Sequence, residues 1–348
     1  GGFKVGTVES VHGALLTLGE LMEHAREYMN DKHTEVCNMV LRYRENRDRV
    51  IKNTVVDLFP SLATFAPRVF VTNYLGLCIN HLFQLRKKDN TRAFTAMGRL
   101  AVAVGYDIEP YLSLIVQQIK SALTQPQGRG IGVGRRPPPT ANSAAIACVS
   151  MLAKAVGSGL SPYLEELLPL MMSDGLTATL TESLAELGAT VPAWLPAIQH
   201  RLLDQICIVL AGKPYTPAGS PAVMGSGLGV GGVGVAEEVT HDKILLALKT
   251  LGDFNFQGHY LMTLIHDVVV AYLAHDSSAI RTEAVTTCAK IMIRPIVDNT
   301  PKWAAAHHRS KVTSVQLEMK PVDTSDLDGD RPHSDDRPTE TTNSWDLL

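Results

Sequence analysis

Apolar residues recur along this chain at the spacing of a helix face. In segment 261–272, Leu261, Leu264, Ile265, Val268 and Tyr272 fall at i, i+3, i+4, i+7 and i+11, one stripe on a 3.6-residue period. Asp276, Ser277 and Ser278 follow as cap-type residues. Ile280, Ala284, Cys288, Ile291 and Met292 then form a second stripe that Pro295 stops. Two amphipathic segments joined by a short polar turn predict an antiparallel helical hairpin.

The same grammar repeats. A Leu followed by a small residue sits late in a predicted helix at Leu18-Gly19, Leu62-Ala63, Leu100-Ala101, Leu152-Ala153, Leu184-Ala185 and Leu251-Gly252. The steps between them are 44, 38, 52, 32 and 67 residues. The two longest contain stretches rich in Gly and Pro, at 124–140 and 212–240. Discounting these brings the period toward about 40, that of HEAT and armadillo arrays. A two-helix unit cannot cover its own apolar face, so neighbours stack, and a small residue lets them approach. The expected fold is all-α, a HEAT-like α-solenoid of roughly six or seven helix pairs. Residues 1–303 carry the repeats, with insertion loops at 124–140 and 212–240, and 304–348 form a disordered acidic polar tail. From Arg309 to Leu348 there are nine acidic and five basic residues with Pro321, Pro332 and Pro338, too little apolar surface to offset the entropy of ordering.

Composition narrows the picture. Aromatic residues make up 6% of the 348, which favours packed helices over an aromatic-rich sandwich. A formal charge of -3 argues against a dedicated nucleic-acid binder. The five cysteines, Cys37, Cys78, Cys148, Cys207 and Cys288, are scattered singly, as expected of reduced thiols. The best apolar run, 144–156, contains Lys154 and is shorter than a bilayer-spanning helix requires, so membrane insertion is not expected. The chain opens Gly1-Gly2-Phe3 without a basic and apolar leader and is read as a fragment.

Five segments carry a resemblance: VHGALLTLGEL at 11–21, VDLFPSLATFAP at 56–67, RAFTAMGRLAVAV at 92–104, CVSMLAKAVG at 148–157, and LALKTLGDFNFQGH at 246–259 with IRTEAVTTC at 280–288. In this order they resemble consecutive repeats in the N-terminal HEAT region of the TOR (target of rapamycin) protein kinase family. The resemblance runs from about Ser10 to Met292. It implies a piece of a large serine/threonine kinase whose catalytic domain lies elsewhere, and a scaffold docking Raptor-like or Rictor-like subunits. It further implies a cytoplasmic location, recruitment of the parent complex to lysosomal or other endomembrane surfaces, and room for a nuclear fraction. The HEAT ladder of Asp and Arg is doubtful here, because only Asp276 and Arg281, five apart, approximate it.

Several patterns invite an enzymatic reading. Gly227, Gly229 and Gly232 satisfy G-x-G-x-x-G, but Pro214, Pro217 and Pro221 crowd the upstream side and no strand precedes them, so an insertion loop is expected. The glycines at 128–134 read the same way. Asp253-Phe254-Asn255 lacks the Gly of a kinase D-F-G and reads as a turn, and there is no H-R-D, H-E-x-x-H or G-x-S-x-G. His241, His259, His266 and His275 cluster in sequence, with at most His259 and His266 expected on one helical face. Arg42, Arg44, Arg47, Arg49 and Lys52 form a basic run interrupted by Glu45 and Asp48. That run is a solvated face and turn, or a surface for an acidic partner. Arg86, Lys87 and Lys88 end a helix, where cations suit the C-terminal dipole. No catalytic residue, cofactor or metal ligand is assigned. The expected function is a protein-protein interaction scaffold that is not itself an enzyme, the alternative being a HEAT scaffold of nuclear transport or phosphatase assembly.

Overall fold

A computed structural model describes residues 6–124, 140–216 and 239–293, all within one compact unit, Gly1–Asn299. The described residues form helices and no strand. They are α1 (Val8–His24), α2 (Arg26–Met29), α3 (His33–Arg42), α4 (Arg49–Phe65), α5 (Pro67–Asn73), α6 (Leu75–Arg86), α7 (Asn90–Val104) and α8 (Glu109–Thr124). After the first gap come α9 (Thr140–Val156), α10 (Ser161–Met171), α11 (Ala178–Thr190) and α12 (Leu195–Ala211); after the second, α13 (His241–Asp253), α14 (Met262–Asp267) and α15 (Ser278–Ile293). The tail expected at 304–348, and nearly all of the two expected loops, lie outside the described residues.

Polar caps start several of these helices. Asp48 Oδ1 accepts from the Val50 N–H at 2.7 Å and the Ile51 N–H at 3.3 Å, opening α4. Asp89 does the same for α7 through the Arg92 N–H at 3.0 Å. The hydroxyls of Thr7, Thr177 and Thr240 cap α1, α11 and α13. Each cap satisfies a backbone donor the helix leaves orphaned, an effect of about 1 kcal/mol.

The helices stack in two rows. In the first, α1 packs on α4, α4 on α7, α7 on α9, α9 on α11, and, further along, α13 on α15. The second contains α3, α6, α8, α10, α12 and α14 with its following 3-10 turn, Val269–Ala274. Every Leu-small pair lies in a first-row helix, and Leu62, Leu100, Leu152, Leu184 and Leu251 are fully buried. Glycine permits the closest approaches: a Cβ on Gly98 of α7 would stand 2.5 Å from Met151 Sδ and 3.4 Å from Cys148 Cα of α9. Around it Phe94, Met97 and Leu100 are buried to 0% exposure, each contributing about 1.5–3 kcal/mol.

Two expectations are corrected. The stripe at 261–272 is not one helix: α14 ends at Asp267, Val268 takes φ -125° and ψ -56°, and the chain continues as a 3-10 turn. Three consecutive valines, 268–270, restrict side-chain rotamers in a helix, and Tyr272 is drawn to donate its hydroxyl to the Leu210 carbonyl at 2.7 Å. Met292, assigned to the buried stripe of α15, is 57% exposed. Asp276 and Arg281 form no ladder, and neighbouring helices are linked by other pairs. Ion pairs join neighbouring first-row helices, Asp57 with Arg92 at 2.7 Å, Glu186 with Lys154 at 3.0 Å and Asp253 with Lys290, while Lys120 and Glu166 join α8 and α10. Arg281 instead donates to the carbonyls of His275 and Asp276. Single-repeat spacing could not reveal partners more than 30 residues apart.

Stretch 142–171 is long and apolar enough by composition to cross a bilayer, with mean hydropathy 1.5. It is divided between α9 and α10 by the turn Gly157–Leu160, where Gly157 takes φ +53°. Its apolar residues pack on α7, α8 and α11.

Candidate functional site

Among the described residues the first row is interrupted once. Between α11 and α13 a cleft of about 260 Å³ replaces side-by-side packing, lined by Ala178, Thr181, Glu182 and Ala185 on one wall and Leu246, Lys249 and Asp253 on the other. Helix α12 bridges the interruption, packing on both. Its buried Gln199 donates through Nε2 to the carbonyls of Asn255 at 2.7 Å and Gln257 at 3.2 Å. Gly212, at φ +68°, ends α12 in the left-handed conformation that glycine adopts without a side-chain clash.

A second, more open hollow lies along α13 and α15, lined by Gly252, Asp253, Val285, Thr286, Ala289, Lys290 and Ile293. Neither cleft brings together a nucleophile, a base and a donor for a developing anion. In the first, Thr250 donates its hydroxyl to the Leu246 carbonyl, and Asp253 is paired with Lys290.

The cysteines are all buried. Burial pushes the Cys37 and Cys148 thiols up to about 12 and Cys207 up to about 11, and raises Cys78 and Cys288. Thiolate, the reactive form, is therefore scarce at neutral pH.

The histidines are placed differently from their sequence grouping. His259 lies in the turn after Gly258, before α14 begins, so it does not share a helical face with His266. His266 pairs at the surface with Asp267 at 2.8 Å. The fold instead brings His241 and His275 edge to face, with ring centroids 5.5 Å apart. His275 Nδ1 accepts from the Ser277 N–H at 3.0 Å. No group of three or more potential metal ligands occurs among the described residues. Asp253-Phe254-Asn255 is a turn: Phe254 is buried, and Asn255 Oδ1 accepts from the Gln257 N–H at 3.0 Å. The glycine motifs at 128–134 and 227–232 lie outside the described residues.

The basic run spans the end of α3, a 3-10 turn (Tyr43–Glu45) and the start of α4. His81 of α6 lies beneath it, 3.4 Å from Glu45. Burial lowers the proton affinity of His81; Glu45 opposes this, and Arg44 and Lys52 add to it. Sequence spacing gave no sign of this neighbour from the next repeat.

No family model matches the chain. Similar proteins include the serine/threonine-protein kinase TOR of Arabidopsis thaliana, 35% identical over 288 residues, 82% of this chain. The serine/threonine-protein kinases tor1 of Schizosaccharomyces pombe and mTor of Drosophila melanogaster are each 33% identical, over 86% and 77% of this chain. The chain spans only 11–13% of the length of these relatives.

Proposed function

We propose, from the premise that this chain is homologous to a segment of the TOR serine/threonine-protein kinases, that it is an interaction scaffold built of HEAT-type repeats. It docks accessory subunits of a TOR complex, of the Raptor-like or Rictor-like kind, and phosphotransfer belongs to another part of the family's chain. The observation that carries this reading is the two-row stack itself. Six first-row helices repeat one Leu-small pattern, and the stack leaves long helix faces in solvent, a surface suited to extended protein contacts. The named relatives weigh against a scaffold of nuclear transport or phosphatase assembly. A cytoplasmic location fits the same reading.

The test is affinity purification of the full chain from cells of its source. Co-purification of a Raptor-like or Rictor-like subunit supports docking; its absence, with the chain folded by circular dichroism, contradicts it. Phosphate transfer from ATP by the purified chain, persisting after contaminants are removed, would overturn the non-catalytic assignment.

A further inference from the structure

In a two-row stack every second connection returns the chain to the same edge. The α3–α4 and α6–α7 turns both lead from the second row to the first, and Arg49 Nη2, 3.6 Å from Asp89 Oδ2, holds them side by side. Two basic stretches that are separate in sequence thereby share one edge. Residues 42–52 supply Arg42, Arg44, Arg47, Arg49 and Lys52, and residues 86–89 supply Arg86, Lys87 and Lys88.

Of the three carboxylates interleaved with these cations, two are committed within the fold, and the third, Glu45, is 69% exposed. Asp48 caps α4, Asp89 caps α7 and pairs with Arg49, and Glu45 faces His81. Arg44 and Arg86 are turned to carbonyls, of Leu41 at 3.0 Å and Gln118 at 3.4 Å. Arg42, Arg47, Lys87 and Lys88 remain exposed, with no carboxylate in ion-pair reach among the described residues. Met39, one turn before Arg42 on α3, and Val50 are 47% and 49% exposed, so the edge offers apolar contacts beside its charge.

We propose that this edge docks an acidic peptide segment of a protein partner. Arg42 and Arg47 grip carboxylates in the bidentate geometry of guanidinium, and Lys87 and Lys88 add point charges. The chain's net charge of -3 makes the edge a local feature, able to steer a segment of opposite sign. Its arginines, set among carboxylates of the fold's own, suit a discrete peptide better than a polyanion or a lipid surface, where uninterrupted lysine and exposed aromatic anchors would serve. The proposal rests on the scaffold reading and names one of its surfaces.

The test is fluorescence anisotropy with the full chain and a labelled twelve-residue peptide of alternating Glu and Ser. Two variants carry equal charge change. One combines Arg42→Glu, Arg47→Glu, Lys87→Glu and Lys88→Glu; the control combines Lys32→Glu, Arg68→Glu, Arg99→Glu and Lys213→Glu, exposed cations away from this edge. The expected result is peptide binding that the edge variant weakens about tenfold, the control less than about twofold, and added salt strongly. Equal weakening by both variants would reduce the effect to net charge and overturn the proposal. So would absence of peptide binding, including the case in which phosphatidylserine vesicles or a single-stranded oligonucleotide bind through these cations instead. Any of these outcomes leaves the subunit co-purification standing as a separate test of the scaffold.

Discussion

Helices α9 and α11 carry the same dipeptide in opposite surroundings. Ala153 of α9 is 0% exposed, whereas Ala185 of α11 lines the open cleft before α13. The Leu that precedes each is fully buried. The pattern thus marks a first-row helix and the side it turns inward, but not whether another helix arrives beside the small residue. Between α9 and α11 the chain makes only α10 and tight turns. Between α11 and α13 it makes α12 and the long connection at 212–240, and the close packing is lost. One region, α1 to α11, is a continuous stack; the other, α13 to α15, is joined to it through α12.

The largest expected effect breaks the tight side of this contrast. Gly98→Leu forces a side chain against Met151 and the backbone of Cys148 and should cost about 3 kcal/mol by overpacking, measured by urea denaturation. Gln199→Leu removes the amide that ties α12 to the α13–α14 turn. It should cost about 1 kcal/mol and, if the second region opens by itself, speed proteolysis after α13 before α7 or α9 is cut.

Acidification acts on both regions. His81 is held below its ordinary proton affinity chiefly by burial, and His259 by burial and then His200. As the pH falls below about 6.5, the unfolded chain binds these protons before the folded one. Stability is therefore intact above that value and lost on the acid side. Thermal melts from pH 7.5 to 5.5 should show the decline, with His81→Gln reducing it; an unchanged slope would contradict the role given to His81. The smallest effect is expected for Ala185→Leu, within about 0.5 kcal/mol, because the cleft has room for the added side chain.

Much of this fold is legible in the sequence. The Leu-small pairs identified the first row because close helix packing needs a large apolar residue next to a small one, and Asp276 with its two serines marked the turn before α15. The break at Val268 was hidden because the stripe from Leu261 to Tyr272 keeps helical period straight through it. The contact of Tyr272 with α12, from an earlier repeat, adds to the three valines and shows why the backbone departs. The basic edge was half legible: residues 42–52 read as charged, but their union with 86–89 depends on Arg49 meeting Asp89 across a repeat. The meeting of His241 and His275 was hidden for the same reason, since neither shares a helix with the other.

Native-state hydrogen exchange, followed amide by amide through rising denaturant, tests the division most directly. Amides of α13 and α15 should exchange through an opening of lower free energy that leaves α4, α7 and α9 protected. If all five helices instead share a single opening free energy, the stack is one cooperative unit, and the cleft between α11 and α13 does not divide it.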